Sequence, residues 1–192
     1  MKKITSKLYR QLVLPIISSV DPVHQVAIGV AIGMFLGLTP TVGVQMYAAA
    51  ILWAISRYLF RYRFNLPVSM AMVWISNPIT FVPMYYVFLA TGNALFSWWG
   101  IPFTELSFVV FEQRFAEISQ QEGAWNVFVE GTRFLVIELG YPMMIGSLLY
   151  AIPGSIVSYF LTVRYLTRFR KYKAKQENLS YEEWRNRYES RN

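Results

Sequence analysis

Three stretches of the chain carry no charged side chain: 35 residues between Asp21 and Arg57, 41 between Arg63 and Glu105, and 25 between Glu138 and Arg164. A helix needs roughly 20 mostly apolar residues to cross a bilayer. The pattern therefore predicts an all-α integral membrane protein. Its expected parts are a basic amphipathic N-terminal segment (1–21), a membrane domain (22–163) and a basic cytoplasmic tail (164–192).

The first stretch, 22–56, would be roughly 52 Å long as one straight helix, against a hydrocarbon core of about 30 Å. It has to bend or break, and Thr39-Pro40-Thr41 followed by Gly43 supplies the break, since proline removes a backbone donor and clashes with the preceding turn. Val23–Leu38 and Val42–Ile55 then form a broken helical hairpin that either re-enters or just crosses. The second stretch, 64–104, breaks at Asn77-Pro78. Leu66–Ser76 is a half-span, and Ile79–Trp99 is long enough to cross, with Trp98 and Trp99 as an interfacial anchor. The third, 139–163, forms a final span carrying Pro142 and Pro153.

Between the second and third stretches lies an acidic segment, 101–138. Phe108, Phe111, Phe115 and Ile118 share a helical stripe in it, and Trp125 to Ile137 is apolar again. It reads as two interfacial helices. At the N-terminus, Ile4, Leu8, Leu12 and Ile16 recur at four-residue spacing beside Lys3 and Lys7. This fits a retained segment lying on a membrane surface, its helix limited by Pro15, or lysines that only set topology.

Charge orients these pieces. The first 21 residues carry four Lys/Arg, the short connection carries Arg57, Arg61 and Arg63, and the tail carries nine. The segment 101–138 carries six acids against Arg114 and Arg133. Basic loops stay cytoplasmic. Both termini and the Arg57–Arg63 connection are expected inside, and the acidic segment outside. In the tail, Ser180 and Glu183 fit a capping box. Arg168, Arg170, Lys171 and Lys173, interleaved with aromatics beside a span, suit anionic lipid better than nucleic acid. The net charge of +7 is then a membrane signature.

Composition removes most chemistry. There is no Cys, so no disulfide, thiolate metal site or cysteine nucleophile is expected, and a single His removes most His-based metal and triad chemistry. No phosphate loop, dinucleotide fingerprint or nucleophile elbow occurs. The chain reads as a non-enzyme without a cofactor. His24 and Asp21 could share a helix face as a proton or metal site, or Asp21-Pro22 could simply start a helix.

The residues Gly29-x3-Gly33-x3-Gly37-x2-Pro40-x2-Gly43-x-Gln45, then Arg63-x-Asn65, then Trp74-Ile75-Ser76-Asn77-Pro78-x-Thr80-x2-Pro83-x-Tyr85-Tyr86 and Gly92, resemble the bacterial membrane proteins grouped as domain of unknown function 2062. The resemblance covers about residues 10 to 165. It implies a small inner-membrane protein. Some relatives are fused to glycosyltransferase domains, which points to cell-envelope or lipid-linked sugar work.

Three residue sets are candidates for function. Gly29, Gly33 and Gly37 form a small-residue stripe suited to close helix packing within the hairpin or between subunits. Arg57, Arg61 and Arg63 either obey the positive-inside rule alone or grip the phosphate of a lipid head group bidentately. The two breaks align at an offset of 38 residues, Pro40 over Pro78 and Tyr47 over Tyr85. There Thr39, Pro40, Thr41, Gln45, Asn77, Pro78 and Thr80 could form a substrate site at helix N-termini. Alternatively, Thr39 and Asn77 are plain N-caps with proline at the first helical position. Two functions follow: a transporter or flippase-like protein for an anionic or lipid-linked envelope substrate, or a scaffold docking envelope-biosynthesis enzymes. Membrane lipids are the expected partners, with a homo-oligomer or envelope partner because short half-helices rarely stand alone in lipid.

Overall fold

The computed structural model describes residues 9–41, 44–77, 80–101 and 140–189, with isolated positions between 113 and 126. Every regular element among the described residues is helical. A π-helical turn, Tyr9–Val13, leads into α1 (Leu14–Ser18). Then come α2 (Val23–Gly37), α3 (Gln45–Tyr58), α4 (Leu66–Val73), α5 (Phe81–Trp98), α6 (Gly140–Gln176) and α7 (Tyr181–Tyr188). The expected interfacial helices within 101–138 lie outside the described residues. The chain divides into two compact units, Met1–Asn77 with Tyr150–Asn192, and Pro78–Leu149.

In the first unit, α2 and α4 lie backbone to backbone. A Cβ added to Gly29 would fall 2.5 Å from the Asn65 carbonyl oxygen, and one added to Gly37 would fall 2.7 Å from Ile75 Cγ2. One added to Gly33 would collide with the Ser69 carbonyl. The partners advance along α4 in step with the glycines along α2, so the two helices run parallel. The stripe does pack closely, but on α4, outside the α2–α3 hairpin where that packing was expected. Only a residue without a side chain permits this approach. Around it Val23, Val26, Val30, Val68, Met72 and Leu166 form the core. Leu12 and Ile16 pack against that core, so this part of the N-terminal apolar stripe is spent on protein rather than on a membrane surface.

The helix α3 returns antiparallel beside this pair. Ala49 meets Leu36 and Val73 near its start, while Trp53 and Arg57 come level with Gln25 and Asn65 near its end. The outer face of α3 exposes Tyr47, Ile51, Leu52, Ile55 and Tyr58. The order of helix, break and helix occurs twice. Gly37 and Val73 end the first members, and Gln45 and Phe81 open the second, an offset of 36 residues in both cases rather than the 38 that aligns the prolines.

α6 differs from its expectation. It does not end near Val163 but continues through Pro153 and the basic run to Gln176, 37 residues in all, about 55 Å at the helical rise. It is the one helix among the described residues long and apolar enough to cross a membrane, and only 22% of its most apolar stretch is buried. Its buried positions Ser158, Thr162, Leu166, Arg170 and Ala174 recur every fourth residue along one face. After it, the predicted capping box forms. The Ser180 N–H donates to Glu183 Oε2 at 2.8 Å, and the Glu183 N–H donates to Ser180 Oγ at 3.2 Å. Hydrogen bonding of the carboxylate to Ser180, through its backbone N–H first and its hydroxyl second, holds the Glu183 carboxyl below its ordinary range.

In the second unit, α5 packs antiparallel on the start of α6. Cβ atoms on Gly92 and Gly146 would collide with the backbones of Pro142 and Phe88 respectively. Phe96 and Tyr141 bring their ring centroids to 5.6 Å on the same seam.

Candidate functional site: a basic cleft and a closed polar layer

The parallel pair α2–α4 has two polar ends. At the C-terminal end of both helices the breaks meet. The Thr39 hydroxyl donates to the Leu36 carbonyl at 2.8 Å, so Thr41 Oγ1, 3.1 Å away, is the donor in the contact between the two threonines. Gln45 Nε2 donates to the Thr39 carbonyl at 3.1 Å. Ser76 Oγ lies 2.9 Å from Gln45 Oε1 and 3.1 Å from the Val73 carbonyl, one proton shared between two acceptors. Gln45 thus ties the first break to the second. Ser76 was not among the expected residues, although it directly precedes the Asn77-Pro78 signal.

This layer corrects the expected capping. The residues preceding α3 and α5 are Val44 and Thr80, and neither accepts a side-chain cap bond. Pro40 lies within the linker, not at the first helical position. The hydroxyls of Thr39 and Ser76 serve the C-terminal carbonyls of α2 and α4, groups that a helix leaves without partners. Thr39 and Gln45 are only 6% and 4% exposed, and their polar groups are used within the layer. Asn77 is half-buried and bonded. Thr80 belongs to the second unit, and Pro78 lies outside the described residues.

At the opposite end, an open cleft of about 290 Å³ is lined by Asp21, Gln25, Trp53, Arg57, Arg63 and Asn65, with three neighbours of Arg63 and Asn65. Arg57 and Arg63 are both half-buried. Among the described residues neither pairs with a carboxylate. The Arg57 guanidinium lies 5.1 Å over the Trp53 ring, a contact that orients it. Arg61 is separate from them. It is exposed, takes a left-handed φ of 52° in the turn out of α3, and does not line the cleft.

Asn65 holds the cleft together and keeps no group for a ligand. Its N–H donates to the Gln25 carbonyl at 3.1 Å. Its Oδ1 accepts from the Val68 N–H at 2.7 Å, capping α4. Its Nδ2 donates to Asp21 Oδ2 at 2.6 Å and to Ser19 Oγ at 3.0 Å. The Arg63-x-Asn65 motif thus combines one cleft-lining cation with one helix cap.

A third arrangement concerns the tail. Arg168, Lys171 and Lys173 are exposed, as an anionic surface requires. Arg170 is a correction to that set. It is 2% exposed and its charge is consumed inside the chain. It donates to Glu189 Oε1 at 2.6 Å and to the carbonyls of Ser19 and Asp21 at 2.9 and 2.8 Å. Its guanidinium lies 5.9 Å from the Trp184 ring centroid. His24 does not pair with Asp21, since its Nδ1 lies 2.9 Å from the Tyr159 hydroxyl. Among the described residues no group of three metal-ligating side chains occurs.

The sequence model of the bacterial family of uncharacterised proteins known as domain of unknown function 2062 matches residues 6–175, and the chain belongs to that family. No curated protein and no solved structure matches it.

Proposed function

We propose that this protein is a multi-pass component of the bacterial inner membrane that handles an anionic or lipid-linked envelope substrate, in the manner of a transporter or flippase and without covalent chemistry. The observation that carries the reading is the pair of half-buried guanidiniums, Arg57 and Arg63, unpaired with any described carboxylate in one cleft. Such groups bind phosphate or carboxylate more strongly than neutral donors do.

The membrane part of the proposal is supported by the largely unburied apolar stretch of α6 and by the exposed apolar face of α3. With 15 and 14 residues, α2 and α3 are about 22 and 21 Å long, too short for a core of about 30 Å. In this reading they form a re-entrant hairpin opening to the cytoplasm. The cleft then sits at the cytoplasmic interface and the polar layer at depth. Irregular backbone at depth persists only where it is buried in protein or lines a cavity, and the closed Thr39–Gln45–Ser76 layer meets that condition.

That closure also favours a second reading, a scaffold that holds an anionic lipid and docks envelope enzymes without moving anything. Native mass spectrometry tests the shared premise. Wild-type protein is expected to retain anionic lipid, and Arg57→Gln/Arg63→Gln to retain at least about tenfold less, since each charged hydrogen bond contributes about 1.5–3 kcal/mol. Equal retention would remove the cleft from the account. Translocation of a labelled anionic lipid in proteoliposomes supports transport, and retention without translocation supports the scaffold.

A further inference from the structure

The basic cleft continues into an apolar trough. On α3, Met46, Ala50, Trp53 and Arg57 follow one another at steps of four, three and four residues, the spacing of one helix face. Pro67, Met70 and Trp74 do the same along α4 and just past its end. The two helices run antiparallel. Gln45 at the start of α3 meets Ser76 beyond the end of α4, while Trp53 and Arg57 line the cleft with Leu66 and Pro67 at the start of α4. Their contact runs through Ala49 and Val73, and both stripes lie on its outer flank. Met46 and Trp74 are 39% and 45% exposed, Pro67 is exposed, and Ala50, Trp53 and Met70 are half-buried. Ala50 has the smallest side chain of the six and leaves a hollow between Met46 and Trp53. From Arg57 to Met46 the trough runs about 16 Å at the helical rise.

Charge and polarity divide the site along this axis. The guanidiniums of Arg57 and Arg63 stand at one end, unpaired with any described carboxylate. Phe64, Leu66 and Pro67 already make part of the cleft wall apolar, and the trough beyond carries no charged side chain. A small soluble anion would fill the first part and leave the second bare. Burial alone does not draw an alkyl chain there out of a bilayer, because lipid tails are as apolar as the trough. A phosphate held by the arginines does, by fixing where the chain starts.

Resting on the anionic-substrate reading above, we infer that the ligand is a lipid phosphate bound end-on, its phosphate between Arg57 and Arg63 and one alkyl chain along the trough between α3 and α4, pointing toward the Gln45–Ser76 layer. The chain then runs from the interface into the membrane, the direction that a hairpin opening to the cytoplasm requires.

The test uses the full chain in nanodiscs of phosphatidylcholine and a photoactivatable phosphatidic acid with a diazirine partway along one acyl chain. Adducts are mapped by peptide mass spectrometry, beside those of a phosphatidylcholine carrying the same diazirine. The phosphatidic acid probe is expected to label Met46, Ala50, Met70 or Trp74 at least about tenfold more than the phosphatidylcholine probe, the scale of one charged hydrogen bond or more. Arg57→Gln/Arg63→Gln is expected to bring that labelling down to the phosphatidylcholine level. Arg61→Gln, altered outside the cleft, is expected to keep it. The contrast between the two probes on wild-type protein needs no variant and stands as an independent measurement. Retention of phosphatidic acid that depends on Arg57 and Arg63, with adducts confined to Ile51 and Ile55 on the outer face of α3, overturns the trough and leaves the anionic-substrate reading intact. Full displacement of the probe by soluble glycerol 3-phosphate overturns the lipid source and also leaves that reading intact. Equal labelling by both probes, unchanged in Arg57→Gln/Arg63→Gln, overturns both.

Discussion

Arg170→Met is expected to destabilise the first unit by about 3–5 kcal/mol, the cost of removing one partner from a buried ion pair. The substitution strands the Glu189 carboxylate, whose side chain is only 9% exposed. It also removes the donor that serves the carbonyls of Ser19 and Asp21. Lysine does not repair this, because a single ammonium cannot reproduce the planar fork that reaches Glu189 and two carbonyls at once. Arg170→Met/Glu189→Leu should recover a large part of the loss, since replacing a whole buried pair with apolar groups is often nearly neutral. Thermal unfolding of the variants in one detergent reads the difference. A single variant as stable as wild type would mean that the tail does not dock through this residue. The effect should reach the cleft as well, because Asp21 is held by Arg170 through its carbonyl and by Asn65 through its carboxylate.

The second large effect lies at Gly33. A Cβ there meets the Ser69 carbonyl oxygen and comes within 2.6 Å of Met72 Cβ. Neither obstacle is the loose end of a side chain, so α2 and α4 have to move apart. Gly33→Ala is expected to cost about 1–3 kcal/mol, the range for overpacking a filled core, and Gly33→Leu more. Gly154→Ala provides the contrast. Its added methyl meets only Leu38 Cδ1, at 2.9 Å, and that methyl can swing aside. Unfolding midpoints measured side by side should therefore drop clearly at position 33 and hardly at 154. Equal drops would indicate that the backbones of α2 and α4 are not in contact.

The places where the chain departs from its sequence reading have identifiable physical causes. Proline marked both breaks, with Gly43 beside the first and Asn77 at the second, since proline disrupts a helix whatever surrounds it. These residues did not mark which helix the nearby hydroxyls would serve. That depends on where the chain turns after α2 and α4, and the hydroxyls went to the C-terminal carbonyls. Arg170 stands in a basic run with Arg168, Lys171 and Lys173, and counting charges cannot separate it from them. Its four-residue spacing from Leu166 and Ala174 does, because all three lie on the buried face of α6. Continuing the helical period past Val163 would have found it. Arg57 and Arg63 were grouped with Arg61 by proximity alone. A turn with a left-handed residue at Arg61 separates them, and short turns leave no periodic signature. Ser76 and Gly146 work through partners that are distant along the chain or on another helix. Ser76 and Gly92 both stand in the family motif, which marks their positions but not the partners they meet.

In the proposed function, α2, α3 and α4 enter the membrane from the cytoplasmic face and hold the Arg57–Arg63 cleft at that face. The chain has no Cys, so single cysteines at Lys3, Tyr62, Gln121 and Lys173 can be probed with a membrane-impermeant thiol reagent on intact spheroplasts. The account predicts that positions 3, 62 and 173 stay unlabelled until the membrane is opened, while 121 reacts at once. Labelling at position 62 but not at 121 on intact spheroplasts would contradict it.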